Sequence, residues 1–195
     1  LLFAVGDGNH SLATAKSCWE ALKKKLSPQE RQAHPARFAL AEIENLHDPA
    51  LVFEPIHRVL AGVSALDLAR ALGEYLSARG SSLRPLADGR APFDFSLCEG
   101  GARKNYAIER PENPLPVAVL QPFLDGYLRD RPGASIDYVH GEDAALELSR
   151  SGRCALLLTA LDKGALFASV RAGGPLPRKT FSMGEAWEKR YYLEC

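Results

Sequence analysis

The 195-residue sequence has no excess of either charge: 24 Lys and Arg balance 24 Asp and Glu, for a formal net charge of zero. A surface that binds nucleic acid or an anionic membrane needs a basic excess, so both partners are disfavoured. No run of about 18 or more apolar residues occurs, which excludes a spanning helix. The opening LLFAV is too short for a secretory signal and lacks a charged flank. Cysteine is sparse and scattered, at Cys18, Cys98, Cys154 and Cys195, with no CxxC pair. That speaks against a disulfide framework or a zinc knuckle, and for reduced thiols in a cytoplasm. The histidines never fall at HxH or HxxxH spacing, and no GxSxG surrounds Ser182 or any other serine. There is no internal repeat and no low-complexity tract. What remains is an ordinary globular composition, 46% apolar and 25% charged, long enough for one sizeable core or two small ones.

The most informative stretch is Leu1 to Leu26. LLFAV reads as a buried strand, and Gly6, Asp7, Gly8 and Asn9 as a tight turn, because Gly and Asx residues tolerate positive φ. Leu12, Ala15, Trp19, Leu22 and Leu26 then follow at helical spacing. Ser11 or Asn9 is the expected N-cap. A helix start carries free N–H groups and about half a positive charge, so this turn is suited to an anion such as phosphate. Asp7 and His10 stand in it as candidate catalytic residues. The carboxylate can hold a metal or take a hydroxyl proton, and the imidazole can donate to a phosphate oxygen. Gly6, Gly8, Asn9 and Ser11 are the candidate cradle. The competing reading is a structural turn in which Asp7 bonds turn amides and His10 caps the helix.

Further along, Ser27-Pro28-Gln29-Glu30 is a capping box that predicts a short helix ending before Pro35. Ala36 to Leu46 reads as a strand. LVFEPIHRVL reads as an edge strand or two short pieces, broken at Pro55. Ser64 and Asp67 open a helix closed by Gly80. SSLRPLADGRAP reads as a loop, and FDFSLCE and KNYAIER as a hairpin across GGAR. A helix is expected from about Pro122, a strand at IDYVH, a helix over Glu142 to Arg150, a buried strand at CALLLTAL and a short helix over Lys163 to Arg171. KTFSM and RYYLE read as extended. Irregular alternation with one hairpin inside favours an α+β fold, a mixed sheet with helices packed on it. Because the chain opens inside an apparent core strand, it reads as the C-terminal portion of a larger protein. An internal boundary, if there is one, is expected between 1–62 and 63–195.

Two more clusters are candidates for binding an anionic cofactor. In FEPIHR, period-two geometry points His57 and Arg58 to opposite faces, so one of them can line a site. An ion pair between Glu54 and Arg58 is the structural alternative. In PRKTFSMGEAWEKR, Arg178 and Lys179 could contact an anion, although Glu185 and Glu188 could neutralise the run.

LPRKTFSMGEAWEKRYYLEC, VGDGNHSLATAK, HPARFALAEIENLHDPALVFEPIHR and YVHGEDA together resemble the bacterial family labelled domain of unknown function 1015. The resemblance runs the length of the chain and implies a longer protein with an additional N-terminal portion. It attaches no activity. The turn itself is similar to the DGHHR-like signature of the superfamily of ParB-type partition proteins, sulfiredoxins and free serine kinases. There the turn before a helix holds nucleotide phosphates, often with an arginine at its end. Asp7, Gly8 and His10 match that signature, while Ser11 stands in the arginine position and leaves Arg58 or Arg178 to supply the guanidinium.

These readings lead to an expectation of a nucleotide- or phosphate-binding protein, with Mg²⁺ at Asp7 and a phosphotransferase or nucleotide hydrolase activity. The alternative is a non-catalytic anion- or metabolite-binding module. The expected partners are a small anionic ligand and the remaining N-terminal portion of the same protein.

Overall fold

In the computed structural model, which describes residues 2–6, 8–87 and 92–183, the chain forms two compact units that divide after Leu46.

The first unit is helical. Helix α1 spans Asn9–Leu22 and α2 spans Pro28–Ala33. The cap of α1 is Gly8, in the left-handed region at φ 77, which corrects the expectation of Ser11 or Asn9. A glycine bears this conformation without the cost a side chain would add. The capping box of α2 forms as expected: the Ser27 hydroxyl accepts from the Glu30 N–H, and the Glu30 carboxylate accepts from the Ser27 N–H. The Trp19 ring lies 5.8 Å from that of His34. Two expected strands are absent. Residues 2–6 form no regular element, with Leu2, Phe3 and Val5 exposed. The segment Ala36 to Leu46 holds only a 3₁₀ turn at Pro35–Arg37, followed by irregular chain with Leu40 and Ile43 exposed. Apolar composition alone does not make a strand: its N–H and C=O groups need a neighbouring ladder, and no described residue supplies one here.

The second unit is an antiparallel sheet with helices on both faces. The elements run β1 (Phe53–Ala61), α3 (Ala65–Ser77), β2 (Ser82–Pro85), β3 (Phe95–Glu99), β4 (Ala102–Glu109), α4 (Pro116–Arg129), β5 (Ser135–His140), α5 (Glu142–Arg150), β6 (Cys154–Leu158), α6 (Lys163–Gly173) and β7 (Phe181–Met183). The strand order is β2-β4-β3-β6-β1-β5, with β7 also on β1, and every described pairing is antiparallel. The α+β class thus holds, with an antiparallel sheet among the described residues in place of the expected mixed one.

Strand β1 is central and unbroken, not an edge strand or two pieces. Pro55 fits because β5 reaches only Ile56 and β6 only Arg58, so among the described residues Pro55 pairs with β7 alone. The stretch expected to be a loop contains β2, which pairs with β4. Helix α4 starts at Pro116, a full turn and a half before the expected start, and carries Pro122 in its interior. Proline at a first helical position is favourable, and the apolar face of α4 compensates for the backbone bond that Pro122 cannot make.

Alternation along β1 sorts the layers. Leu60 joins Leu68, Leu72 and Leu76 of α3, Leu120, Phe123 and Leu124 of α4, and Phe95 and Leu156 in the main core. Val59 joins Cys98, Ala155 and Leu157, with Ala145 of α5, in a smaller core on the opposite face. Each fully buried leucine contributes roughly 1.5–3 kcal/mol. Arg58 shares the parity of Leu60 and His57 that of Val59, so the two polar residues enter different layers.

Candidate functional site

At the start of α1, the cap residue is a glycine, so the cap position itself brings no side chain to the first N–H groups. Gly8 offers no side-chain cap, and no acidic residue stands in the first turn. The Gly8 carbonyl accepts from the Leu12 N–H at 2.9 Å, which closes the first helical turn. Asn9 and His10 are the first two helical residues, and both are exposed, as are Gly6, Gly8 and Ser11. Asp7 lies outside the described residues. The described residues here have one feature of an anion cradle, a left-handed glycine leading into an exposed helix start.

His57, Arg58, Arg178 and Lys179 belong to the second unit, and two of them meet. Arg58 is 1% exposed. Its Nε and Nη2 donate to Gln121 Oε1 at 3.1 and 3.0 Å, Nη2 also to the Arg178 carbonyl at 3.3 Å, and Nη1 to the Ile56 carbonyl. No carboxylate among the described residues lies within ion-pair distance of it. Burial pulls its pKa down to about 10, against the opposing pull of Tyr138 and Asp125. The ion pair with Glu54, the structural alternative, does not form: Glu54 Oε2 binds His140 Nε2 instead.

Arg178 approaches the same place from the segment between α6 and β7. Its Nε donates to the Tyr138 hydroxyl at 3.1 Å and its Nη2 to Asp125 Oδ1 at 2.8 Å. Those contacts raise its already high pKa, the Tyr138 hydrogen bond most. Gln121 closes the network by donating from Nε2 to both Asp125 Oδ1 and the Tyr138 hydroxyl, at 2.9 and 3.0 Å. The Arg58 guanidinium stands 5.2 Å from the Tyr138 ring centroid, and that of Arg178 5.8 Å. Beside the network lies a cleft of about 370 Å³, lined by α4, by residues 173–178 and by Asn113. Lys179 follows in a left-handed conformation, φ 55, with its side chain exposed.

His57 is 2% exposed and its Nδ1 accepts the Leu158 N–H at 3.2 Å, which fixes the neutral tautomer with the proton on Nε2. Burial lowers its pKa, with Arg58, His140 and Arg103 acting in the same direction and Glu142 against them. It tethers two strands. Glu185 and Glu188, expected to neutralise the basic tail, lie outside the described residues.

Gln121, Asp125 and Tyr138 escaped the sequence reading. Gln121 and Asp125 sit at i and i+4 on α4, a spacing that puts a polar pair on one helix face. On a helix otherwise so apolar, that pair was the available signal.

The family described as "Protein of unknown function (DUF1015)" matches residues 1–127, more than half of the chain. The chain belongs to the DUF1015 family. The DUF1015 match takes in the α1 turn, Arg58, Gln121 and Asp125, and stops short of Tyr138 and Arg178. No curated protein matches the sequence. Among solved structures, the DUF1015 chain is similar to a conserved hypothetical protein from Pyrococcus furiosus, with a TM-score of 0.50 and 16% identity. The likeness covers 74% of this chain and 61% of that one, so this chain spans less than two thirds of its length. At that identity the likeness concerns the fold alone. Among the described residues, no helix is long and apolar enough to cross a membrane, and no group of three or more His, Cys, Asp or Glu could hold a metal ion.

Proposed function

We propose that the GDGNH turn and the first turn of α1 bind the phosphate groups of a nucleotide. The observation that supports this reading is the exposed helix start itself: a glycine at the cap position with φ 77, and no acidic residue in the first turn. Amides of Asn9, His10 and Ser11 would donate to phosphate oxygens, aided by the helix dipole. The His10 imidazole would add a donor from the side, and Asp7 would hold the Mg²⁺ that accompanies the nucleotide. The matching Asp7, Gly8 and His10 positions of the nucleotide-binding superfamily signature point the same way.

With a phosphate seated there, the available chemistry is transfer of a terminal phosphoryl group to a small hydroxyl compound or to water. Asp7 would receive the hydroxyl proton or orient the metal. A non-catalytic anion-binding module is the second reading. It is favoured by Ser11, which stands where an arginine would clamp the phosphate in the resembling superfamily.

Calorimetric titration of the full chain with ATP, ADP and CTP, with and without Mg²⁺, tests the proposal. Saturable binding that is lost in Asp7→Ala and His10→Ala is expected. Absence of heat with all three nucleotides overturns it, and binding without phosphate release or transfer selects the second reading.

A further inference from the structure

Arg58 poses a separate problem from the α1 turn. A guanidinium 1% exposed in the middle of a sheet is normally matched by a carboxylate, because an uncompensated buried cation costs several kcal/mol. Here its acceptors are one side-chain amide and two backbone carbonyls. Among the described residues, the single carboxylate of the network is Asp125, which is bound to Arg178 and Gln121. Counted over the described residues, two guanidinium groups and one carboxylate leave the cluster one positive charge in surplus.

That surplus borders a cleft. Gln121, Asp125 and Arg178 line it together with Ala118, Pro122 and Leu176. Arg178 is exposed and commits Nε–H and one Nη2 hydrogen, so the end-on edge formed by Nη1 and the second Nη2 hydrogen keeps its fork of donors. The Asn113 side chain, which also lines the cleft, is pressed close to the backbone: a Cβ on Gly173 would come within 2.5 Å of its Nδ2. Glycine at 173 therefore leaves room for an amide donor in the lining of the cleft.

We propose that this cleft binds the carboxylate of a small organic molecule, on Arg178 and the Asn113 amide, with Arg58 behind them as the fixed charge. A monoanion matches the surplus of one charge, whereas a phosphate dianion would carry a second charge toward Asp125. The planar fork of Arg178 suits a carboxylate, and the proline, alanine and leucine walls suit an organic body. The site is independent of the nucleotide reading, since none of its residues belongs to the α1 turn.

The test follows the arginine Nε–H signals of ¹⁵N-arginine-labelled full chain during titration with butyrate, with the neutral isostere butyramide and inorganic phosphate as the other arms. Butyrate is expected to shift the Arg178 and Arg58 signals saturably, and butyramide to leave them in place. Arg178 is exposed, so R178K and R178A retain the fold, and both weaken butyrate by about tenfold or more through loss of the fork. Asp125→Asn, which removes the competing carboxylate, tightens butyrate. His10→Ala leaves binding unchanged, which separates this site from the nucleotide site. Absence of a saturable butyrate shift, equal affinity in R178A, or weaker binding in Asp125→Asn overturns the proposal. So does phosphate moving the same signals at lower concentration than butyrate, which assigns the cleft to phosphate.

Discussion

Arg58 on β1 and Tyr138 on β5 are direct cross-strand partners, and the guanidinium carbon stands 5.2 Å from the phenol ring centroid. The same phenol hydroxyl accepts from Arg178 and from Gln121. One aromatic side chain thereby joins the central strand, helix α4 and the segment leading to β7. The cation is held by a neutral acceptor and an aromatic face, so its stability rests on partners that cannot be removed singly without exposing the rest.

Arg58 and Gln121 should therefore be strongly non-additive. Arg58→Ala leaves Gln121 Oε1 and two carbonyls short of a donor, and Gln121→Leu leaves the buried guanidinium without its main acceptor. Each single variant is expected to lose about 2–4 kcal/mol of stability in urea unfolding. The double variant should lose at least about 1 kcal/mol less than the sum of the two. Additive losses would mean that the two side chains are not energetically linked.

Two glycines should respond in opposite directions to alanine. At Gly62, φ is +72 and a Cβ would lie 2.8 Å from the Gly133 carbonyl oxygen, so backbone must move. Gly62→Ala should cost about 2 kcal/mol or more. Gly73 lies inside α3, and a Cβ there meets nothing within 4 Å. Gly73→Ala should stabilise by roughly 0.5–1 kcal/mol. Thermal unfolding of the pair measures both signs.

His57 predicts a pH dependence. Its folded pKa lies below the ordinary 6.5 because burial penalises the charged ring. Below pH 6.5 the unfolded chain takes up the proton first, so stability is complete above that value and falls as the pH drops toward the folded pKa. The slope from this one group reaches at most about 1.4 kcal/mol per pH unit. His57→Gln should flatten stability over that window when urea midpoints are followed with pH, and an unchanged slope would exonerate the residue.

Much of the second unit was legible because its signals are local. Ser64 with Asp67 and Gly80 marked both ends of α3, Gly100-Gly101 marked the hairpin, and period two along β1 separated His57 from Arg58. The errors came where a partner decides. LLFAV and Ala36 to Leu46 have strand composition but no ladder among the described residues. β2 has loop composition and gains a ladder from β4. Pro122 looked like a helix start because a sequence does not reveal how much apolar burial will offset one missing backbone bond. At the site, Arg58 and Arg178 were flagged for their charge. Their meeting point was not readable, because Gln121, Asp125 and Tyr138 come from a helix and a strand far away in sequence.

The nucleotide reading is tested most directly at the backbone it invokes. In the ¹⁵N-labelled full chain, titration with ADP and Mg²⁺ should shift the amide signals of Asn9, His10 and Ser11 downfield and saturably, ahead of every signal from residues 47–183, and Asp7→Ala should abolish the shift. If those three amides stay in place while ADP is raised to millimolar concentration, α1 does not open on a phosphate site and the proposed function is wrong.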